Sequence, residues 1–140
     1  MARKEDYLGH LAKVPLFSLC GKEELRQVAR RSTKLNLEEG RAFVQEGSLG
    51  HEFFVILDGR AEVTREGKPV AELGAGDFVG ELSLLDPGPR DATVIAVTPM
   101  TVMVLTPAEF ETVLTEAPGM TRKLLAAMAY RLRDLDTARF

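Results

Sequence analysis

Residues 78–94 read FVGELSLLDPGPRDATV, and this stretch places a Gly–Glu pair about ten residues before a single arginine. Gly80 and Glu81 precede a short apolar segment, and a turn rich in Asp, Pro and Gly separates that segment from Arg90. No other basic residue lies within 20 positions of Arg90. Because the turn can fold Arg90 back over the Gly–Glu pair, the spacing predicts that the two ends of the stretch meet at one site.

The chemistry of this stretch suits a sugar phosphate. Gly80 lets the backbone approach a ligand without a Cβ, and the successive amides of Glu81 to Ser83 are donors for an anion. The Arg90 guanidinium would complete a charge-assisted contact, worth about 1.5–3 kcal/mol per hydrogen bond. The Glu81 carboxylate is misplaced for an anion alone but accepts well from a ribose hydroxyl. The stretch therefore indicates a nucleotide whose phosphate carries one negative charge.

Around this stretch the hydrophobic pattern has a period of two, which is typical of β-strands. From about Ser32, segments rich in β-branched and aromatic residues alternate with turns that contain Gly, Asp or Pro. The segments are RAFVQ, EFFVILD, RAEVTRE, KPVAEL, ATVIAV and MTVMVLT. Strands this short and this regularly interrupted predict an antiparallel β-roll over residues 32–106, of the jelly-roll or double-stranded β-helix kind, with about eight strands.

Helical periodicity flanks the predicted roll on both sides, so we expect an α+β fold. Residues 1–31 predict two short helices around the segment VPLF at 14–17. Residues 107–140 predict a short helix behind the N-cap Thr106 and a longer helix after Pro118. Apolar residues at helical spacing form a stripe along the longer helix, which we expect to be core or a dimer seam. The stripe consists of Met120, Leu124, Met128, Leu132 and Leu135.

At 140 residues the chain has the length of a single domain, and its charge is unevenly spread. Residues 1–31 and 118–140 each carry a net charge of +3, whereas residues 32–117 hold six basic and 15 acidic side chains. A net-acidic centre without a basic run is a poor partner for nucleic acid. The single cysteine, Cys20, excludes an internal disulfide, and no apolar stretch is long enough to span a bilayer. We therefore expect a cytoplasmic protein that binds neither nucleic acid nor membranes.

Two segments of the opening stretch resemble a known family. The segment GELS at 80–83, followed by PRDATV at 89–94, is similar to the phosphate-binding cassette of the cyclic nucleotide-binding domain. That family includes catabolite activator protein, the regulatory subunits of cyclic-AMP-dependent kinase and nucleotide-gated channels. The segment at 14–17 is similar to its N-terminal helix motif, and the closing helices to its last two helices. Four glycines match its strand turns: Gly40, Gly47, Gly59 and Gly76. The resemblance covers nearly the whole chain.

The resemblance implies a role for each cassette residue. The amides of Gly80, Leu82 and Ser83 would donate to the cyclic phosphate, helped by the Ser83 hydroxyl. Glu81 would bind the ribose 2′-hydroxyl, and Arg90 the charged exocyclic phosphate oxygen. A ligand of this kind needs no metal and no further cofactor.

The resemblance also implies how the rest of the ligand is surrounded. Ala92 would be a small residue at the phosphate end. Three residues fall where the family's strands form the apolar wall of the pocket: Val63, Val70 and Leu73. The last helix of the family normally covers the base, and three residues of this chain would lie near it: Leu132, Leu135 and Asp136.

One position departs from the family pattern. After the arginine the family usually has Ala, Ser or Thr, whereas this chain has Asp91. Its carboxylate would repel a phosphate, accept from the 2-amino group of a guanine, or turn outward and pair with Arg90 in the empty site. The departure leaves the base preference open. It also keeps open a domain of this shape that serves as an interaction module and no longer binds nucleotide.

Two enzyme classes find little support in the sequence. A metal site of the cupin type needs two or three histidines and a carboxylate, but His10 and His51 are 41 positions apart and form no His-x-His pair. No serine has the flanking glycines of a hydrolase nucleophile elbow. We therefore expect a non-enzymatic protein, and the resemblance implies a sensor that binds cyclic AMP in preference to cyclic GMP and transmits binding through its last helix. Its partner would be a second copy, joined through that helix, or a separate effector protein.

Overall fold

The computed structural model describes residues 7–135, which separate into two units. The first unit combines the two ends of the chain, residues 7–31 and 108–135. The second unit is Ser32–Pro107, and it contains the whole stretch from which the site was predicted. That residues 1–140 form a single domain stays a prediction.

The second unit is built from ten described strands, which form because β-branched and aromatic residues alternate with glycine-containing turns. Most are short, in keeping with the closely spaced turn signals. The strands are β1 Thr33–Leu37, β2 Ala42–Val44, β3 Leu49–Gly50, β4 Phe53–Asp58, β5 Ala61–Arg65, β6 Lys68–Leu73, β7 Phe78–Val79, β8 Gly88–Pro89, β9 Thr93–Ala96 and β10 Met100–Leu105.

The strands pair antiparallel in two sheets of four strands and one ribbon of two. The sheets have the orders β1-β10-β4-β7 and β2-β9-β5-β6, and the ribbon joins β3 to β8. The eight strands of the two sheets match the predicted number. The ribbon was not predicted, because each of its strands has two residues and is too short to show an alternating pattern. The predicted α+β class and antiparallel β-roll are confirmed.

The core of the second unit consists of side chains that the strands turn inward. Ile56 and Val102 are fully buried and belong to one cluster with Phe54 and Val94. The ring of Phe43 packs edge-on against that of Phe54, with centroids 5.2 Å apart. Burial of each such side chain stabilises the fold by about 1.5–3 kcal/mol. This core fixes the strands that carry the site.

The helices come from the two ends of the chain, as predicted. In the first unit the rings of Phe17 and Phe110 pack with centroids 6.3 Å apart. Arg31 forms a bidentate pair with Glu116, at 2.6 and 3.2 Å. The helices are α1 Leu8–Ala12, α2 Lys22–Arg31, α3 Pro107–Glu116 and α4 Gly119–Leu135, with a 3₁₀ turn at Pro15–Phe17 between the first two.

The apolar stripe along α4 divides into two parts. Met120 and Leu124, near the start of the helix, are buried, whereas Leu132 and Leu135 are 67% and 71% exposed. The buried part is core, so only the exposed part remains available for a partner. Among the described residues, no helix has both the length and the apolar character needed to cross a membrane.

Candidate functional site

A cavity of about 490 Å³ lies in the second unit and includes most of the predicted cassette. Its size is in the range of small-molecule sites. Its walls come from β2, β5, β6, β7 and β9 and from the chain between β7 and β9. The lining residues are Val44, Val63, Arg65, Leu73, Phe78, Val79, Gly80, Glu81, Leu82, Ser83, Asp86, Gly88, Pro89, Arg90, Asp91, Ala92 and Val94.

A tight turn at Gly80 forms the floor of the predicted anion site. Gly80 has φ 83° and ψ 23°, in the left-handed region, and a 3₁₀ turn follows at Glu81–Leu84. A Cβ on Gly80 would overlap the Nη1 atom of Arg90 and lie 2.7 Å from the carbonyl oxygen of Glu52. Glycine is therefore required twice, for the backbone angle and for the close approach of the arginine.

Ser83 belongs to this turn and contacts Arg90 through its side chain. Its amide donates to the Gly80 carbonyl at 3.0 Å, within the turn, and its hydroxyl accepts from Arg90 at 3.2 Å. The hydrogen bond from Ser83 to Gly80 is the first of the turn, and the Leu82 amide lies one residue before it. It is therefore the Ser83 hydroxyl rather than its amide that connects the turn to Arg90.

Arg90 reaches across the site and is held at both ends. Its backbone N–H donates to the Ser48 carbonyl, and its carbonyl accepts from the Gly47 N–H, both at 2.8 Å. Its side chain is 8% exposed, and its Nη2 donates to the Glu52 carbonyl at 2.7 Å. The Glu52 carboxylate stays 3.9 Å from the same nitrogen, beyond hydrogen-bond distance.

The charge of Arg90 is the main electrostatic feature of the cavity. Burial lowers the pKa of its guanidinium from the ordinary value, and the carboxylates of Glu52 and Asp91 act in the opposite direction. An arginine stays protonated nonetheless. Among the described residues it donates two side-chain hydrogen bonds, fewer than its five N–H groups allow. A buried cation with donors to spare attracts an anion strongly, because little water screens it.

Glu81 supplies a carboxylate in the wall of the same cavity. Its side chain is among the few buried charged groups of the described chain. It follows Gly80 directly, so the turn that receives the arginine also positions the carboxylate. The structure thus brings Gly80, Glu81 and Arg90 together as the spacing predicts.

Asp91 turns outward, which is one of the three orientations considered from the sequence, but its partner is Arg65 rather than Arg90. Its side chain is 91% exposed, and its Oδ2 lies 3.9 Å from Nη2 of Arg65. The Nε of Arg65 also donates to the Asp91 carbonyl at 3.0 Å. Sequence reasoning missed Arg65 as a cavity residue. No signal in the sequence marked it, because Arg65 reaches the cavity through the pairing of β5 with β9, which brings the end of β5 beside the cassette.

The predicted apolar wall is present in part. Val63, Leu73 and Ala92 line the cavity, whereas Val70 does not and is 51% exposed. The resemblance placed both Val70 and Leu73 on the wall, but residues three positions apart lie on opposite faces of a regular strand. In addition, Val63 pairs with Ala71 and the next residue of β5 pairs with Pro69, so a bulge leaves Val70 as the extra, unpaired residue.

The residues predicted to cover the base lie elsewhere in the chain. Leu132 and Leu135 belong to α4 in the first unit, and both are exposed. Asp136 lies outside the described residues. Their part in covering the base stays a prediction. Within residues 7–135 no cluster of three or more His, Cys, Asp or Glu side chains is arranged to hold a metal ion.

Comparison with known sequences connects this geometry to a family. The family model for the cyclic nucleotide-binding domain matches residues 34–117. The cAMP-dependent protein kinase regulatory subunit of Yarrowia lipolytica is 40% identical over 105 residues, which cover 74% of this chain and 28% of the relative. The chain spans about a third or less of the length of the first curated relatives it matches.

Solved structures show the same similarity. The N-terminal domain of a transcriptional regulator from Streptomyces coelicolor superposes with a TM-score of 0.84 at 30% identity, covering 93% of this chain and 94% of that one. The structure of cAMP-bound PfPKA-R superposes with a TM-score of 0.67 at 26% identity, covering 94% of this chain and 47% of that one. The similarity therefore extends over almost the whole chain.

Proposed function

The chain belongs to the cyclic nucleotide-binding domain family, and from this premise we propose that it binds cyclic AMP in the cavity beside Arg90. The observation that carries the proposal is the buried guanidinium of Arg90, held against the turn at Gly80 with Glu81 in the same wall. These groups match a phosphate and a ribose hydroxyl. The resemblance inferred from the sequence is confirmed at the level of the family.

Arg90 and the turn at Gly80 would hold the cyclic phosphate between them. The N–H groups that Arg90 has left over would donate to the charged exocyclic oxygen. The amides of Gly80 and Leu82 would donate from the turn. The Ser83 hydroxyl accepts a hydrogen bond from Arg90. When the guanidinium binds the phosphate instead, this hydroxyl would donate to the phosphate as well.

The charges around the cavity favour a cyclic phosphate over a phosphate monoester. Two arginines and three acidic residues line it, so its formal balance is negative. A cyclic phosphodiester carries one negative charge, whereas a nucleoside monophosphate carries nearly two at neutral pH. The second charge would face Glu81, Asp86 and Asp91, and the remaining cation of the cavity, Arg65, is exposed and already contacts Asp91, so repulsion would weaken binding.

We propose that the adenine nucleotide is preferred. The outward orientation of Asp91 and its contacts with Arg65 support this, because they draw the carboxylate away from a role as acceptor for guanine. The cAMP-bound state of PfPKA-R and the cAMP dependence named for the Yarrowia lipolytica relative support it as well.

We also propose that α4 transmits binding to a partner in the cytoplasm and that the domain itself is non-enzymatic. The exposed apolar side chains along this helix support a contact with a second copy or a separate effector. These side chains are Leu125, Tyr130, Leu132 and Leu135. A spin label at Tyr130→Cys, in a Cys20→Ser background, should change its mobility when cAMP is added. Unchanged spectra at saturating cAMP would contradict transmission through this helix.

Calorimetric titration tests the binding proposal directly. Wild-type protein should bind cAMP more tightly than cGMP, and 5′-AMP at least about tenfold more weakly than cAMP. Arg90→Ala should weaken cAMP binding at least about a hundredfold. Arg60→Ala should leave it unchanged, because Arg60 is an exposed arginine outside the cavity. Folded wild-type protein that gives no heat with cAMP or cGMP would contradict the proposal and leave the interaction module as the better account.

A further inference from the structure

We propose that Gly50 is a positioning residue for nucleotide binding: the absence of its side chain creates the channel through which Arg90 reaches the phosphate site. This inference rests on the function proposed above and deepens it. Gly50 is 40 residues from Arg90 in sequence and does not line the cavity. It was not among the residues predicted for the site.

The side chain of Arg90 passes directly over Gly50. A Cβ built on Gly50 would overlap the Cδ, Nε and Cζ atoms of Arg90, which form the middle of the side chain rather than its flexible tip. Gly50 belongs to β3, and its partner in the ribbon is Gly88 of β8, two residues before the arginine. The ribbon thus places the Arg90 side chain over a glycine, the residue type that has no side chain to obstruct it.

The backbone of Arg90 cannot move aside easily to accommodate a new atom. Its N–H and carbonyl are both bonded to the chain before β3, at Ser48 and Gly47. The side chain would have to move instead. It would then lose its hydrogen bonds to the Glu52 carbonyl and the Ser83 hydroxyl, and with them the position next to the turn at Gly80.

Gly50 is not required by its own backbone angles. Its φ lies outside the left-handed region, unlike that of Gly80, so an alanine can adopt the same backbone conformation. Gly88, directly across the ribbon, would accept a Cβ without any atom within 4 Å. The crowding is therefore confined to the face of the ribbon that Arg90 covers, which identifies the arginine as the reason for glycine at position 50.

A double-mutant cycle on nucleotide affinity tests the inference. Gly50→Ala should weaken cAMP binding at least about tenfold, because the guanidinium loses its place beside the phosphate. In an Arg90→Ala background, with high ligand concentration, the same substitution should change affinity less than about twofold, since the added methyl group then meets no arginine. Gly74→Ala is the matched control, because Gly74 also lies outside the left-handed region, has open space around its Cβ and does not line the cavity.

A spectroscopic measurement separates this inference from the proposed function. The Arg90 Nε–H signal of ligand-free protein, assigned by its loss in Arg90→Ala, should shift towards the exposed-arginine position in Gly50→Ala and stay in place in Gly74→Ala. Wild-type protein that binds neither cAMP nor cGMP would defeat the proposed function, while this signal would still decide the role of Gly50.

Two results would overturn the inference. One is a Gly50→Ala variant that keeps both wild-type affinity and the wild-type Arg90 signal. The other is a loss of affinity of equal size with and without Arg90. If Gly50→Ala does not fold, adding Arg90→Ala should restore folding, because it removes the side chain that the methyl group meets. Failure of the double variant to fold would show that Gly50 serves the backbone and not the arginine.

Discussion

The cavity contains two arginines that make the same kinds of contact at different depths. Each donates to a backbone carbonyl, Arg90 to that of Glu52 at 2.7 Å and Arg65 to that of Asp91 at 3.0 Å. Each also has the carboxylate of the same residue 3.9 Å away. They differ in burial, because the side chain of Arg90 is 8% exposed and that of Arg65 is 55% exposed.

The comparison leads us to expect that burial, rather than the number of partners, determines which arginine binds an anion. Water screens the charge of Arg65, and an exposed pair of this kind contributes about 0–1 kcal/mol. Arg90 has already lost most of its water, so a phosphate that reaches it meets a stronger field. We therefore expect Arg90 to bind the ligand, and Arg65 to hold Asp91 at the edge of the cavity.

The largest expected difference between the two arginines is in stabilisation by ligand. With cAMP at about 100 times its dissociation constant, binding should add about 2.7 kcal/mol to the free energy of unfolding of the wild type. Arg65→Ala should keep most of this gain and Arg90→Ala should lose it, as measured by thermal unfolding with and without cAMP. A gain lost in Arg65→Ala and kept in Arg90→Ala would reverse the assignment.

A smaller effect is expected at Glu81, the buried acidic counterpart of Arg90. Glu81→Gln keeps the shape of the side chain but removes its charge, so the hydrogen bond from the ribose weakens and affinity for cAMP should fall about tenfold. 2′-Deoxy-cAMP is the matched ligand. The wild type should bind it more weakly than cAMP, and Glu81→Gln should distinguish the two much less. Equal discrimination by the wild type and Glu81→Gln would show that Glu81 does not bind the 2′-hydroxyl.

Ionic strength should affect the two arginines differently as well. Salt screens exposed charges far more than buried ones. Raising the salt concentration from about 0.05 to 0.5 M should therefore change the affinity for cAMP less than about threefold, and the dependence should be the same in Arg65→Ala. A steep salt dependence that disappears in Arg65→Ala would show that the exposed arginine contacts the phosphate.

The burial of the Arg90 side chain could not be predicted from the sequence, although the residues that form its site could. Gly80, Glu81 and Arg90 lie within one short stretch, so local turn chemistry was enough to bring them together. The burial of Arg90 depends on Glu52 and Gly50, which come from another part of the chain. Their contact with the arginine exists only once the ribbon of β3 and β8 has formed.

Strand register explains the other differences between prediction and structure. Arg65 reaches the cavity because β5 pairs with β9, and Val70 lies outside it because it is an odd number of positions from Leu73 and unpaired at a bulge of β6. A hydrophobic period detects a strand but neither its partner nor a bulge. In α4 the period likewise predicted the apolar stripe. It could not show that burial ends before Leu132, because burial depends on what packs against each turn of the helix.

The smallest expected effect concerns Asp91. A substitution there tests whether the pair of Arg65 and Asp91 takes part in selecting the base. Because the Asp91 carboxylate is exposed and lies beside Arg65, Asp91→Asn should change the affinities for cAMP and cGMP by less than about threefold each. Cyclic IMP sharpens the test, since hypoxanthine is guanine without its 2-amino group. If Asp91 accepted from that group, wild-type protein would prefer cGMP to cyclic IMP and Asp91→Asn would lose the preference. We expect the wild type and Asp91→Asn each to bind cGMP and cyclic IMP about equally, because a carboxylate turned towards Arg65 does not contact the base. The base would then be selected by the walls of the cavity.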